Sequence, residues 1–95
     1  MAEKMFSIRI GMGSFPKQDL DSLIDSKQTQ IRPHSDGEEF DYGNYNGCSI
    51  QLYIPGNPHV NTQQIIISGE PKDVEKVVNE FHENYSWANG LTYKS

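Results

Sequence analysis

The sequence predicts an α+β fold: a two-layer sandwich in which an antiparallel or mixed sheet of three to five strands carries two helices on one face. Three observations point there. Thr62 to Tyr85 reads as a β-branched run, a Gly-Glu-Pro break and then a helix with one apolar stripe. Met5 to Ile10 and Cys48 to Ile54 alternate apolar with polar residues, the pattern of strands buried on one face. Two separate helical stretches each carry a single apolar stripe, which a shared sheet would cover. Ninety-five residues with 35% hydrophobic content make one domain, 1–95, around a single modest core.

In Met5 to Ile10, Phe6, Ile8 and Ile10 share one face, with Met5, Ser7 and Arg9 on the other. Gly11-Met12-Gly13-Ser14 turns the chain, Ser14 supplies an N-cap, and Pro16 opens a helix running to about Ser26. Its acidic residues Asp19 and Asp21 suit the positive end of the helix dipole, and Leu20, Leu23 and Ile24 form its stripe. Gln28 to Pro33 is a second strand with Thr29 and Ile31 inward, and Pro33 confines it to an edge or ends it. His34 to Asp41 reads as an acidic loop turning at Gly37. Tyr42 to Gly47 is turn-rich and closes on Asn46-Gly47, a strong two-residue hairpin signal.

In the next strand Cys48, Ile50, Leu52 and Ile54 point inward, with Ser49, Gln51 and Tyr53 outward. Pro55 to Pro58 forms a loop, because two prolines fix φ and remove donors. Ile65, Ile66 and Ile67 favour a strand, Gly69 breaks it, and Pro71 suits a first helical turn. Val74, Val77, Val78, Phe81 and Tyr85 then stack at i, i+3, i+4, i+7 and i+11. Asn89-Gly90 stops the helical run, and Leu91-Thr92-Tyr93 leaves room for a short edge strand. The order is β-α-β-β-β-α, with that last strand as an addition.

Composition narrows the function. Thirteen acidic residues against eight basic ones give a formal charge of -5. That opposes the electrostatic attraction behind most non-specific nucleic-acid affinity and suits a basic protein partner. Ordinary solubility accounts for the same imbalance. No segment approaches the roughly 18 apolar residues of a membrane span, and the first residues lack the apolar stretch of a secretory signal, so a cytoplasmic location is expected. Cys48 is the sole cysteine, and His34, His59 and His82 have no ligand spacing, so neither a disulfide nor a metal site is expected. Gly11 to Ser14 sits where backbone amides can cradle a phosphate, yet it lacks the endings of both nucleotide-binding fingerprints and reads better as a tight turn. No nucleophile, base and orienting group can be assembled. The expectation is a protein without catalysis and without a cofactor.

From Tyr42 to Gly69 the chain contains no Asp, Glu, Lys or Arg. Tyrosine, asparagine and glutamine replace them, which is the chemistry of a recognition surface with broad aromatic contact and adaptable hydrogen bonds. Tyrosines covering the edge of a core would give the same composition. On the recognition reading, Tyr42, Tyr45 and Tyr53 are anchors, Tyr42 and Tyr45 exposed in their turn and Tyr53 outward beside Gln51. Asp36, Glu38, Glu39 and Asp41 then form a charged rim that steers a basic partner. The class this suggests is a small acidic inhibitor, immunity or anti-defence protein docking on a basic, even nucleic-acid-binding, protein.

Ile65-x-Ile67-x-Gly69-x-Pro71-x-x-Val74-x-x-Val77 resembles the last strand and C-terminal helix of KH-type RNA-binding modules, over about a quarter of the chain. The resemblance implies single-stranded nucleic-acid binding. That family clamps the backbone with a Gly-x-x-Gly loop between two helices, whereas this chain has Gly11-x-Gly13 ahead of its first helix. The implied function also needs Arg9, Lys17, Lys27 and Arg32 gathered on one face.

Overall fold

The computed structural model describes residues 2–9, 16–24, 29–57, 62–89 and 92–94. Its strands are β1 (Ala2–Arg9), β2 (Gln30–His34), β3 (Gly37–Tyr45), β4 (Cys48–Pro55), β5 (Thr62–Gly69) and β6 (Thr92–Lys94). Its helices are α1 (Pro16–Leu23), α2 (Pro71–Asn84) and the single turn α3 (Ser86–Asn89). The Gly11 to Ser14 turn, the Ser14 cap, the helix end at Ser26 and His59 lie outside the described residues.

The strands form one sheet in the order β2-β3-β4-β5-β1-β6, and every neighbouring pair is antiparallel. β2 to β5 make a meander, and β1 then slots between β5 and β6. The helices pack on one face, giving the two-layer α+β sandwich the sequence predicts. Pro33 lies in the edge strand β2, where a missing N–H is tolerated. Among the described residues, no helix is long and apolar enough to cross a membrane.

The sequence reading missed one strand. Residues 37–45, expected as an acidic loop and a turn-rich passage, form β3, paired with β2 on one side and β4 on the other. Phe40 and Tyr42 alternate with Glu39 and Asp41, so the pleat buries the aromatics while the carboxylates point the other way. Burying two rings outweighs the low strand propensity of the acidic residues. A β-bulge between Asp41 and Gly43 then resets the alternation, with Gly43 at φ +76° and its N–H held by Asp41 Oδ1 at 3.0 Å. Asn46 and Gly47 both take positive φ, 51° and 87°, as a type I′ hairpin turn requires.

The core joins Ile8, Phe40, Tyr42, Cys48, Ile50, Leu52, Ile65 and Ile67 from the sheet to Leu20, Ile24, Val74, Val77, Phe81, Trp87 and Ala88 from the helical layer. Phe81 lies at the centre of an aromatic cluster, 6.3 Å from Tyr45, 5.6 Å from Tyr85 and 5.9 Å from Trp87 between ring centroids. Trp87 stacks on Tyr85 at 5.2 Å and donates its indole N–H to Asp19 Oδ2 at 2.8 Å, which ties α3 to α1. Ile31, expected inward, is 58% exposed. It pairs with Phe40 on the helix side of the sheet, but at the edge strand no described helix covers it.

Candidate functional site: the open face of the sheet

With all the described helices on one side, no described element covers the opposite face of the sheet, the open face. The register arranges its side chains in cross-strand rows. One row runs Arg32, Glu39, Tyr53, Gln64, Ser7, and the next runs Gln30, Asp41, Gln51, Ile66, Met5. The uncharged stretch of the sequence supplies β4 and β5, the two central strands. The middle of the open face therefore carries amides, hydroxyls, one tyrosine and the apolar Ile66, with Arg32, Glu39 and Asp41 along its β2–β3 side.

Where β2 and β3 meet this centre, a concavity of about 320 Å³ is lined by His34, Asp36, Glu39, Gln51, Tyr53, Gln64 and Ile66. The Ser35-Asp36 turn folds onto the end of β4, and the Asp36 carbonyl accepts both the Tyr53 hydroxyl at 3.0 Å and the Gly56 N–H at 2.8 Å. Tyr53 is thereby fixed as a wall, with the His34 ring edge-on to it at 6.1 Å. Partial loss of hydration, reinforced by Asp36, raises the Tyr53 pKa. Glu39 receives His34 Nε2 at 3.1 Å and Arg32 at 3.8 Å, and Arg32 also lies 3.5 Å from Asp41. These partly exposed pairs contribute little stability, under about 1 kcal/mol each. Their effect is electrostatic. They partly neutralise Glu39 and Asp41, whereas Asp36 has no ion pair among the described residues.

Of the eight residues expected to bind a partner, Asp36, Glu39, Asp41, Gln51 and Tyr53 come together here. Glu38 is exposed but pairs with Ile54 on the helix side of the sheet, away from the other five. Tyr42 and Tyr45, expected to be exposed, are drawn into the helical layer. Tyr42 is fully buried and donates to Asp21 Oδ1 at 2.9 Å, and burial, followed by that carboxylate, raises its pKa strongly. Tyr45 is partly buried against Phe81 and donates to Glu80 Oε2 at 2.6 Å. Loss of hydration, then Glu80, pushes its pKa up to about 12. The bulge is the reason. Three positions apart, these tyrosines would face opposite ways in a regular strand, and the extra residue puts both on the helix side.

Arg32, His34, Gln64 and Ile66 were not among the residues expected to bind a protein partner, although Arg32 was expected to serve the nucleic-acid reading. Period-2 reading of Ile65-Ile66-Ile67 does place the middle residue opposite its neighbours, so that signal was present. Arg32 and His34 become visible only once β3 is known to lie beside β2. Of the other cations that the nucleic-acid reading needs beside Arg32, Arg9 ends β1, Lys27 lies outside the described residues and Lys17 lies in the helical layer. Lys17 is paired to Asp21 at 2.7 Å and sits over the Phe40 ring, so it does not share a face with Arg32. Cys48 is buried, and burial, with Asp73 nearby, raises its thiol pKa, the reverse of what activates a nucleophile. Among the described residues no cluster of histidine, cysteine and carboxylate side chains is arranged to hold a metal ion. What the open face offers is recognition chemistry: an aromatic wall, an apolar floor, amides and carboxylates. Comparison with family models, curated proteins and solved structures returns no match.

Proposed function

We propose that this chain is a small acidic binding protein without catalysis, which docks a basic protein on the open face of its sheet as an inhibitor, immunity or anti-defence protein would. The observation that carries the reading is the face itself. Its centre is uncharged, partly apolar and uncovered by any described helix, and its β2–β3 side carries Asp36, Glu39 and Asp41. Aromatic and amide groups at the centre of a patch, with charge at its margin, match the anatomy of protein interfaces. The net charge of -5 adds long-range attraction for a basic partner. Single-stranded nucleic acid, which the β5–α2 resemblance to KH modules suggests, ranks lower, because these carboxylates repel phosphate.

A photo-crosslinking residue placed at Gln51, in the centre of the open face, tests the proposal against the same residue at Glu75, exposed on α2. In the native host, Gln51 should yield one dominant adduct with a basic protein, absent from the Glu75 sample. Equal adducts from both positions, or none from Gln51, would remove the proposal. An RNA adduct at Gln51 would favour the nucleic-acid reading.

A further inference from the structure

We infer that the concavity beside Tyr53 is an acceptor for one basic side chain, with arginine the best fit. This rests on the open-face docking reading and names the group the partner presents there. The concavity is at the small end of ligand pockets, which begin near about 300 Å³, so it suits a single side chain rather than a whole cofactor. Its chemistry is graded along β4. Ile66 and the Gln51 stem lie in one row, Tyr53, Gln64 and Glu39 in the next, and Asp36 stands beyond them at the Tyr53 hydroxyl. An arginine laid along this gradient places its methylenes over Ile66 and its guanidinium against the Tyr53 ring. Its N–H groups then meet Glu39, Asp36 and the amide oxygens.

The charge pattern selects the sign of the occupant. Among the described residues, two carboxylates line the concavity and no lysine or arginine does. Asp36 has no ion pair among the described residues, so an incoming cation competes with no described cation there. Glu39 Oε2 is met by His34 Nε2 at 3.1 Å, and its Oε1 lies a loose 3.8 Å from Arg32, whose side chain is 53% exposed. Arg32 is therefore a competitor for the occupant as well as a neighbour of the site. An anionic group would meet Asp36 and Glu39 head-on. Tyr53 is also the sole tyrosine on the open face among the described residues, because Tyr42, Tyr45 and Tyr85 all pack into the helical layer.

The test is an NMR titration of the isotopically labelled full chain with three capped tripeptides, Gly-Arg-Gly, Gly-citrulline-Gly and Gly-Glu-Gly. Citrulline keeps the shape of arginine and removes the charge. The arginine peptide should give saturable shifts at the Gln51, Tyr53, Gln64 and Ile66 amides with a millimolar midpoint, and citrulline should bind about tenfold more weakly. Asp36→Asn should weaken the arginine peptide by roughly tenfold, whereas Arg32→Gln should tighten it by removing the competitor. Tyr53→Phe should keep binding and Tyr53→Ala should lose it, both with unchanged melting temperatures. The inference is overturned if citrulline binds as well as arginine, if the glutamate peptide binds in its place, if Arg32→Gln weakens binding, or if the arginine peptide moves none of these amides. A silent titration alongside a productive Gln51 crosslink would remove this acceptor site and leave the docking proposal standing. Saturable arginine binding without a crosslink would do the reverse.

Discussion

Replacing Tyr42 by phenylalanine removes one oxygen from a fully buried ring, and the surroundings of that oxygen set the cost. The hydroxyl donates to Asp21 Oδ1 at 2.9 Å, while Asp21 Oδ2 is held by Lys17 at 2.7 Å and the Asp21 side chain is 41% exposed. The carboxylate therefore keeps a partner and water when the hydroxyl goes, and the loss should be near about 1–1.5 kcal/mol rather than that of a stranded charge. For a domain of this size that is roughly 4–12 °C in melting temperature. Tyr42→Ala adds a ring-sized cavity and should cost about 3–5 kcal/mol. Tyr53→Ala is the contrast. It gives up a hydrogen bond to a carbonyl that still accepts the Gly56 N–H, so it should cost under about 1 kcal/mol. Urea transitions followed through Trp87 fluorescence, with equal slopes across the variants, would measure all three. If Tyr53→Ala proved more destabilising than Tyr42→Ala, the assignment of Tyr42 to the core and Tyr53 to the binding face would be wrong.

Three other outcomes follow from the same geometry. Tyr42, Tyr45 and Tyr85 all have raised pKa values, so folding favours their neutral phenols. That stabilisation should be complete below the unfolded value of 10.0 and fade as pH climbs toward about 12 for Tyr45, visible as falling urea midpoints while tyrosinate absorbance grows. The buried Cys48 thiol should react with a disulfide reagent only as fast as the protein opens, and equal rates in native and urea-unfolded protein would refute its burial. Gly69→Ala would place a Cβ 2.9 Å from the Gly47 carbonyl oxygen, a backbone atom with little room to yield, and should cost about 1–3 kcal/mol in a thermal melt.

The legible parts of the fold were those governed by one period at a time. The α2 stripe of Val74, Val77 and Phe81 and the inward set Cys48, Ile50 and Leu52 are buried as the spacing predicts. The Asn46-Gly47 turn was equally plain, because few dipeptides accept two positive φ values. β3 was hidden for two reasons. Its solvent-side positions are acidic, which imitates a loop, and its bulge breaks the period that would have placed Tyr42 and Tyr45. The site suffered in proportion. Gln51 and Tyr53, on regular strand positions, face outward as expected, whereas Tyr42 at the bulge and Tyr45 beyond it do not. The uncharged stretch itself has two causes that composition cannot separate. β4 and β5 are the central strands, so alternate residues are uncharged because they are core, and the remainder form the middle of the open face.

The place of β1 in the sheet bears on how the protein assembles. β2 to β5 can zip together through short connections, yet β1 must pair with β5 from the far end of the chain, Ala2 against Gly69 and Arg9 against Thr62. Loop closure makes such long-range pairing slow relative to the hairpins. In that interval β5 has a bare edge, and Gln63 to Ser68 is an uncharged, isoleucine-rich strand with unpaired N–H and C=O groups. That combination favours joining to another molecule. The strand that completes the native sheet thus also acts as its guard, and the yield of refolding should fall with protein concentration unless β1 arrives before a neighbour does.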